Sequence, residues 1–367
     1  MDISEIPIDG YEKVVRCRDQ ASGLHALIAV HDTTLGPALG GMRMLPYAGE
    51  DEAMFDVLRL ARGMTYKSAV AETGLGGGKS VILGDPARKN RDLFLAMGRF
   101  VESLGGLYIT AEDMNIGIPD LEIVKEETRW VTGLSRESGS SGNPSPYTAM
   151  GCVHGLRAVV EELYGSDSFA GRRVLIQGVG AVGGRLAALL KEQGAEVVIC
   201  DINEKRVDEL VKKHGLESVA DCDHLDVECD VYSPCARGAT LNDETIPRLR
   251  TKAVAGCANN QLLEPRHADL LRERGILYAP DYVINAGGII NVGVELWPGG
   301  YDERRSLEKI EGIYSALKRV FEISRQENIS TRDAAARLAE ERLAAGRSNG
   351  RAHAAPRPAR RRGATGS

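Results

Sequence analysis

Apolar and polar residues alternate along the first part of the chain with the two-residue period of half-buried strands. This pattern predicts strands over residues 11–17 and 24–31, followed by a glycine-rich turn at residues 39–41. Residues 51–71 change to a helical period behind an acidic first turn. With a helix at 91–104, a strand at 107–110 and a helix at 119–127, the pattern indicates a first α/β domain.

The second half of the chain follows a Ser-, Gly- and Pro-rich linker at residues 135–147 and repeats a strand-then-helix order. Its predicted elements are helix 147–164, strand 174–177, a helix reaching 193, strands 197–200, 231–233, 253–256 and 276–278, and helices 302–325 and 330–345. This order favours a doubly wound, Rossmann-type sheet. We therefore expect an α/β protein of two domains with a cleft between them.

Composition and charge narrow the class of protein. The chain has 367 residues, of which 43% are hydrophobic and 27% charged, as in ordinary globular proteins with two domains. The net charge of −6 offers no basis for nucleic acid or an anionic membrane as a partner. No apolar run is long enough to span a membrane, and the first residues lack the features of a signal peptide, which predicts a cytoplasmic protein.

Seven scattered cysteines, an odd number, favour reduced thiols over a disulfide framework. Cys222, His224 and Cys229 lie close together in the sequence, but their spacing matches no zinc-binding pattern. We expect no metal.

Two lysines in residues 63–80 are the first candidates for chemistry. Gly76, Gly77 and Gly78 precede Lys79, so that a ligand could approach the backbone, and an apolar run follows it. That run predicts a buried strand with Lys79 at its mouth, although a mobile surface loop is the alternative. A phosphate-binding loop is excluded, because Thr73 stands where its first glycine is required.

Asp113 follows the predicted strand at 107–110, at the end where ligands bind in α/β sheets. A functional carboxylate and a simple cap are equally good interpretations. Lys67 falls near the end of the predicted helix 51–71, which would hold it on a rigid element.

The most specific motif is a glycine turn between a strand and a helix. Gly178, Gly180 and Gly183 follow strand 174–177 with dinucleotide-binding spacing, and Asp201 closes the next strand. Gly178 permits the turn, Gly180 lets a pyrophosphate reach the backbone, and Gly183 allows close packing. Since Asp201 would bind ribose hydroxyls and repel a 2′-phosphate, the motif predicts NAD rather than NADP.

Residues after the later strands would lie at the same edge of the sheet. Cys235, Ala236, Ala258 and Asn260 are therefore expected near the nicotinamide half, although ordinary loop residues explain each equally well. The pair Gly287 and Gly288 marks another close approach to the backbone.

Together these residues suit an NAD-dependent reaction on a substrate that carries a carboxylate and a group that changes protonation. One lysine can bind the carboxylate, and the other, desolvated beside that charge, can act as a base. A 2-hydroxy acid dehydrogenase is disfavoured because no histidine accompanies the glycine turns. A non-catalytic NAD-sensing module remains the alternative from a different class.

Six sequence pieces carry a resemblance to a known family. They are GPALGGMRM at 36–44, MTYK at 64–67, GLGGGK at 74–79, TAED at 110–113, GSSGNP at 139–144 and YVINAGG at 282–288. The chain resembles the glutamate/leucine/phenylalanine/valine dehydrogenases over nearly all of its length except the basic tail. The resemblance implies reversible, NAD-dependent oxidative deamination of an L-amino acid to a 2-oxo acid and ammonia.

The resemblance also implies roles for individual residues. Lys67 and the backbone N–H of Gly41 would hold the substrate carboxylate, Lys79 would be the general base, and Asp113 would exchange protons with the amino nitrogen. Thr148 and an asparagine, either Asn259 or Asn260, would contact the nicotinamide amide. The full predicted cofactor set is Thr148, Gly178, Gly180, Val182, Gly183, Asp201, Cys235, Ala236, Ala258, Asn260 and Asn285.

The resemblance places the substrate side chain against Leu39, Gly40, Met64, Ala111, Ile289, Val292 and Val294. These residues include no cation, so a buried γ-carboxylate would lack a partner and glutamate is not expected as the substrate. Within the family the phenylalanine branch is favoured, helped by Gly293, whose missing side chain could leave room for a ring. Leucine or valine is the alternative.

We expect residues 1–140 and a helix at about 328–345 to form the substrate-binding, catalytic domain, and residues 145–327 the NAD-binding domain. The linker would let the domains close on the substrate. Residues 346–367 are rich in arginine and predicted to be disordered. The family implies a homo-oligomer.

Overall fold

A six-stranded sheet forms the base of the first unit. The computed structural model describes residues 1–348, and within them the first unit comprises Met1–Asn143, Val292–Glu303 and residues 342–348. Its strands are β1 (Asp2–Glu5), β2 (Lys13–Asp19), β3 (Leu24–Asp32), β4 (Ala38–Leu45), β5 (Gly76–Leu83) and β6 (Tyr108–Ala111). Its first helices are α1 (Glu50–Ala71), α2 (Arg91–Glu102) and α3 (Ile118–Lys125).

The strand order in this sheet is β1-β2-β3-β5-β4-β6. Strands β1, β2, β3 and β5 pair antiparallel, whereas β5, β4 and β6 run parallel. Gly41 of β4 stands opposite Ala111 of β6, and Met42 stands opposite Ser80 of β5. The parallel register therefore brings Gly41, the neighbourhood of Lys79 and the start of the Asp113 loop to one region of the sheet.

Helix α1 packs on this sheet through a face of small residues. Three acidic residues occupy its first turn, where the helix dipole favours negative charge, and Glu72 caps its C-terminus at φ +50°. Val57 and Ala61 of α1 pack with Val14, Leu27 and Val81 of the sheet in one buried cluster. Lys67 lies one turn before the end of this helix, as predicted.

The second unit comprises Pro144–Asn291 and Arg304–Glu341. Its strands are β7 (Arg173–Gln177), β8 (Glu196–Cys200), β9 (Glu217–Ser218), β10 (Cys229–Pro234), β11 (Thr251–Val254) and β12 (Leu277–Tyr278). The remaining helices of the chain are α4 (Ser145–Tyr164), α5 (Gly183–Glu192), α6 (Glu204–His214), α7 (His267–Glu273), α8 (Asp281–Ile284), α9 (Gly287–Val294), α10 (Glu303–Glu327) and α11 (Thr331–Ser348).

All six strands of the second sheet are parallel, in the order β12-β11-β10-β7-β8-β9. Chain order reverses between β7 and β10, which is the doubly wound arrangement whose switch point binds ligands in open α/β sheets. The predicted α/β fold with a Rossmann-type second domain is confirmed.

Several details differ from the sequence expectations, among them the glycine-rich turn predicted at residues 39–41, which lies inside strand β4. Gly76–Gly78 begin β5, so Lys79 lies inside the strand and not at its end. Helix α1 packs closely on these glycines, since a Cβ on Gly77 would lie 2.0 Å from the Thr65 backbone nitrogen. Residues 287–294 form helix α9, and a Cβ on Gly287 would lie 2.1 Å from the Tyr147 carbonyl oxygen of α4. The close approach at Gly287 is therefore made by protein.

The bounds of the units and the start of the predicted tail also differ. Most of helix α11, which was expected in the first domain, belongs to the second unit, which extends to Glu341. Residues 346–348 continue α11 instead of beginning a disordered tail, and the rest of the predicted tail lies outside the described residues. Among the described helices, none is long and apolar enough to cross a membrane.

Candidate active site

Lys79 is a buried lysine in the middle of a sheet. Its residue is 4% exposed, and its ammonium contacts the Asp113 carboxylate as an ion pair. A buried charge is costly unless it is paired, so a lysine and an aspartate brought together in this way are candidates for proton transfer. The structure thus joins the two residues that the sequence proposed as catalytic.

Glycines in β4 make this meeting possible. A Cβ on Gly40 would lie 1.7 Å from the carbonyl oxygen of Gly78, and one on Gly41 would lie 2.7 Å from Cβ of Asp113. The buried Tyr108 hydroxyl donates to the Gly40 carbonyl oxygen over 2.6 Å. Because any side chain would push these segments apart, Gly40 and Gly41 bring the backbones of β4, β5 and the Asp113 loop together.

Asp113 is held from three sides. Its Oδ2 faces Lys79, while its Oδ1 accepts from the backbone N–H of Met114 at 2.5 Å and from Arg43. Arg43 approaches that oxygen through Nη2 at 3.3 Å and Nε at 3.4 Å. The carboxylate is therefore fixed in orientation by a backbone donor and a guanidinium, and does not behave as a simple surface cap.

Arg43 connects this pair to helix α1. Its Nη1 donates to Oδ2 of Asp56 over 2.9 Å, and the Tyr47 hydroxyl donates to the same oxygen over 2.8 Å. Arg43 lies in the GPALGGMRM piece that carries the family resemblance, but neither it nor Asp56 was predicted to have a role. The two-residue period of β4, which puts Arg43 on the same face as Gly41, was the available signal.

Burial lowers the pKa of Lys79 well below its usual value, and the positive charges of Arg43 and Lys67 lower it further. Asp56 acts in the opposite direction. The contacting Asp113 carboxylate also favours the charged amine, so a proton can be shared within the pair. A lysine in these surroundings becomes a usable base nearer to neutral pH.

The residues proposed for the substrate side chain do not all fall in one unit. Leu39, Gly40, Met64 and Ala111 come from β4, α1 and β6 of the first unit, which also contains Val292 and Val294; Ile289 belongs to the second unit. Leu39, Ile289, Val292 and Val294 are buried. Their contacts with a substrate stay predictions.

Gly293 does not leave empty space. A Cβ there would lie 3.2 Å from Cδ1 of Leu75 and 3.7 Å from Cβ of Thr73. The Trp297 indole N–H donates to the Thr73 carbonyl oxygen over 3.0 Å, which fixes the same segment. The missing side chain at Gly293 therefore serves close packing against Leu75, and the argument that it makes room for an aromatic ring is wrong.

In the second unit the glycine turn has the geometry its motif predicts. Gly178 adopts φ +96°, and a Cβ on it would lie 2.6 Å from Cβ of Ala236. A Cβ on Gly183 would lie 2.0 Å from the Gly178 carbonyl oxygen and 3.1 Å from Cβ of Cys235. The turn and the segment after β10 are thus packed together at the switch point of the sheet.

Asp201 and the asparagines at the strand ends are also positioned by backbone groups. Asp201 accepts from the N–H of Val179 and of Asn203, each at 2.8 Å. Asn285 donates to the Cys257 carbonyl oxygen at 3.1 Å and to the side-chain oxygen of Asn259 at 2.7 Å. The sequence left open which of Asn259 and Asn260 would contact the nicotinamide amide. In the structure Asn259 is the one that pairs with Asn285.

The other predicted cofactor residues are placed as follows. Thr148 lies in the first turn of α4 and donates to the Pro144 carbonyl oxygen over 3.1 Å. Val182 precedes α5, and the backbone N–H of Ala258 donates to the Pro234 carbonyl oxygen over 3.0 Å. Asn260 is exposed at φ +51°. Their roles stay predictions.

One group of possible metal ligands occurs in the described residues. The ligand atoms of Cys200, Asp221 and His224 lie within 4.8 Å of one another. Atoms bound to one tetrahedral Zn²⁺ lie about 3.3–3.8 Å apart. Burial raises the pKa of the Cys200 thiol to about 12, which keeps it protonated. The expectation of no metal stays a prediction.

Comparison with known proteins identifies the family. Residues 11–131 match the profile of the Glu/Leu/Phe/Val dehydrogenase dimerisation domain, and residues 139–203 and 199–350 match that of the glutamate/leucine/phenylalanine/valine dehydrogenases. The chain belongs to this family. It is therefore an amino acid dehydrogenase, and members of this family depend on NAD(P).

Three similar proteins illustrate the range of substrates in this amino acid dehydrogenase family. Leucine dehydrogenase of Geobacillus stearothermophilus is 54% identical over 334 residues, covering 91% of this chain and 90% of that one. Phenylalanine dehydrogenase of Thermoactinomyces intermedius is 48% identical over 337 residues, covering 91% and 92%. The crystal structure of L-tryptophan dehydrogenase from Nostoc punctiforme superposes with a TM-score of 0.84 at 41% identity, covering 92% and 97%.

The residues of this dehydrogenase fit a dinucleotide. A Cβ on Gly180 would meet no atom within 4 Å, so the backbone there is open to a pyrophosphate, whereas Gly178 and Gly183 are enclosed by protein. Helix α5 begins at Gly183, and its N-terminal N–H groups favour an anion. The carboxylate of Asp201 stands at the end of β8, where a ribose is bound in this fold.

Proposed function

We propose that this enzyme catalyses the reversible, NAD-dependent oxidative deamination of an aliphatic L-amino acid, with L-leucine preferred, to the 2-oxo acid and ammonia. The observation that carries the chemistry is the buried Lys79 in contact with the Asp113 carboxylate. Leucine as the substrate is supported by the greater identity to a leucine dehydrogenase than to a phenylalanine dehydrogenase. Phenylalanine, which the sequence first favoured, lost its structural argument at Gly293.

In the proposed reaction NAD, held by the glycine turn and Asp201 of the second unit, would supply the hydride acceptor, so that the substrate Cα is oxidised to an iminium. Lys67 and the Gly41 N–H hold the substrate carboxylate. The neutral Lys79 amine takes a proton from a water molecule as its oxygen bonds to the iminium carbon. Asp113 takes a proton from the substrate ammonium before the oxidation and returns it to the amino nitrogen of the carbinolamine that water addition forms. The carbon–nitrogen bond then breaks to release ammonia, the carbinolamine hydroxyl gives its proton to the Asp113 carboxylate, and the 2-oxo acid remains.

Burial explains why a lysine can perform this step. A lysine side chain in water would be protonated at neutral pH. At Lys79, desolvation and the positive charges of Arg43 and Lys67 favour the neutral amine. Asp113 remains within reach to receive or return the proton. The pair can therefore act in both directions of the reversible reaction.

The two units are proposed to divide the work between them. The first unit would hold the amino acid and its proton-transfer groups, and the second would bind NAD through the glycine turn and Asp201. The match of residues 11–131 to a dimerisation domain supports self-association, so we propose a homo-oligomer. Light scattering on the eluted protein would measure its mass, and a monomer at micromolar concentration would contradict this part of the proposal.

Formation of NADH with a panel of amino acids tests the substrate. The values of kcat/KM should fall in the order L-leucine, L-valine, L-phenylalanine, with L-glutamate last because its γ-carboxylate finds no cation among the proposed pocket residues. Apolar walls discriminate by only about 1–3 kcal/mol, so the first three should differ by roughly 10- to 200-fold at most. A lead for phenylalanine would overturn the leucine assignment alone, whereas no turnover with any amino acid would favour a non-catalytic NAD-binding protein.

A further inference from the structure

Arg43 occupies a position between the catalytic pair and helix α1. It projects from β4 with a side chain that is 15% exposed, and its two nitrogens Nη2 and Nε converge on Oδ1 of Asp113. The opposite end of the guanidinium, Nη1, lies 2.9 Å from Asp56 Oδ2. One planar, permanently charged group thus bridges two carboxylates from different elements.

Asp56 is itself fixed, which fixes Arg43 in turn. The Tyr47 hydroxyl donates to Asp56 Oδ2 over 2.8 Å, and Arg59 Nη2 lies 3.0 Å from Oδ1. Asp56 is mostly buried, with 14% of its side chain exposed. A guanidinium clamped in this way has little freedom to turn away from Asp113, and a mobile surface arginine would not have this property.

We propose that Arg43 is a positioning residue of the deamination reaction: Asp56 holds its guanidinium, and the guanidinium holds the Asp113 carboxylate against Lys79. The proposal rests on the proposed function, because it assigns Arg43 an effect on the base. It adds a device by which the fold sets the proton affinity of that base from a neighbouring strand and helix.

The charged groups around Lys79 predict that neutralising Arg43 and neutralising Asp56 will shift the Lys79 pKa in opposite directions. Arg43 faces Lys79 from β4, Asp56 and Lys67 from α1, and Asp113 from the loop after β6; on the neighbouring strand β3, the partner of Lys79 is the uncharged Ala29. Burial, Arg43 and Lys67 lower the Lys79 pKa, and Asp56 raises it. Asp113 keeps its contacts with the Met114 N–H and with Lys79 when the Arg43 side chain is neutral, so removing the Arg43 charge should raise that pKa. Removing the Asp56 charge should lower it.

The test is the pH profile of kcat/KM for L-leucine in the full-length enzyme. In the wild type, kcat/KM should rise with pH as Lys79 loses its proton. Arg43→Met should move this acid limb upward by about one pH unit and reduce kcat. Asp56→Asn should move the acid limb to lower pH. Arg43→Lys keeps the positive charge but lacks the planar guanidinium, so it should leave the limb near its wild-type position and still reduce kcat. An unmoved limb in Arg43→Met, or shifts of the same sign in Arg43→Met and Asp56→Asn, would overturn the proposal.

A second measurement does not depend on turnover or on the cofactor. The rate at which acetic anhydride acetylates Lys79, followed by mass spectrometry across pH, reports the protonation of that amine directly. Arg43→Met and Asp56→Asn should displace this curve in opposite directions. If circular dichroism shows that Arg43→Met does not fold, Asp56→Asn alone decides: a downward displacement supports the proposal and an unmoved curve refutes it.

The same data separate this proposal from the function it rests on. If Lys79 is not the base, Lys79→Ala will retain the acid limb of the wild-type profile. If Lys79 is the base and Arg43 does not position the pair, Lys79→Ala will lose the limb while Arg43→Met and Asp56→Asn leave it unmoved.

Discussion

Glycines serve different purposes in the two units. In the first unit, Gly40 and Gly77 face protein: a Cβ on either would lie within about 2 Å of a neighbouring backbone or side-chain atom, and their absence of side chains lets the sheet and α1 close around Lys79. In the second unit, Gly180 faces open space, although Gly183 beside it is enclosed. The first unit uses glycine to assemble charged side chains, and the second uses it to leave the backbone bare for a ligand.

The largest expected effect is on the assembled side chains. Lys79→Ala should lower kcat by about 10²- to 10⁴-fold because it removes the proposed general base, whereas Lys67→Ala should chiefly raise KM for the amino acid. Steady-state kinetics on both variants separates the two roles. Equal changes in kcat and KM from both substitutions would contradict the division of labour.

The dependence of kcat/KM on pH in the wild-type enzyme tests which protonation state of Lys79 is active. The proposed base acts as the neutral Lys79 amine, and burial lowers its pKa, so kcat/KM should increase with pH through that lowered value and then level. A profile that falls with pH over this range would exclude Lys79 as the base.

The next effect compares an enclosed glycine with an open one in the same turn. Gly183→Ala should lower the free energy of unfolding by about 1–3 kcal/mol, since its Cβ would lie 2.0 Å from the Gly178 carbonyl oxygen. Gly180→Ala should leave the melting temperature nearly unchanged, because nothing lies within 4 Å of its Cβ, and should instead raise KM for NAD. Similar melting temperatures for the two variants would remove the distinction between them.

This contrast also explains what the sequence could predict. The second unit was predictable because its motif encodes a local event: a strand, a glycine turn, a helix and an acid follow one another, and β7, α5, β8 and Asp201 appear in that order. The roles of Lys79 and Asp113 were implied only by a family resemblance. Their ion pair was not predicted, since these residues are far apart in the chain and meet through sheet register.

Other features could not be read from local patterns at all. Gly76–Gly78 look like a loop until α1 packs on them, because the pattern of one segment does not reveal what lies above it. The placement of Arg43 becomes interpretable only when its contacts with both Asp56 and Asp113 are known. Asp56 lies on α1, and Asp113 lies on the loop after β6. Gly293 was misinterpreted for the same reason, since its neighbour Leu75 is distant in sequence.

Asp201 should produce a moderate effect, on cofactor choice. Asp201→Ser removes the charge that would repel a 2′-phosphate, so the ratio of kcat/KM for NAD to that for NADP should fall by about tenfold, or about 1.4 kcal/mol. Asp208→Ser, which removes an exposed acid on α6, is the matched control and should leave the ratio unchanged. An unmoved ratio in Asp201→Ser would show that the specificity comes from elsewhere.

The smallest expected effect concerns charges of the first unit that water reaches. Glu50 accepts from Arg16 at 3.0 Å, Arg18 at 2.7 Å and His25 at 2.8 Å, and its side chain is 24% exposed. Partial burial alone would raise its pKa, but these partners lower it to about 2 from an ordinary value of 4.5. Because the carboxyl pKa is lower in the folded state, ionised Glu50 stabilises the fold at pH values above its pKa in the unfolded chain, about 4.5. That contribution is lost as the pH falls through the folded-state pKa of about 2.

Glu50→Gln should therefore lower the free energy of unfolding at pH 7 by about 1 kcal/mol or less, because solvent screens the cluster. The difference from wild type should shrink below about pH 4.5 and vanish only below about pH 2. Glu5→Gln, at the single Lys13 pair with a 56% exposed carboxylate, should give a smaller change. Urea unfolding of the three proteins at several pH values measures this, and a difference that persists undiminished below pH 2 would mean that Glu50 stabilises the fold by packing and not by charge.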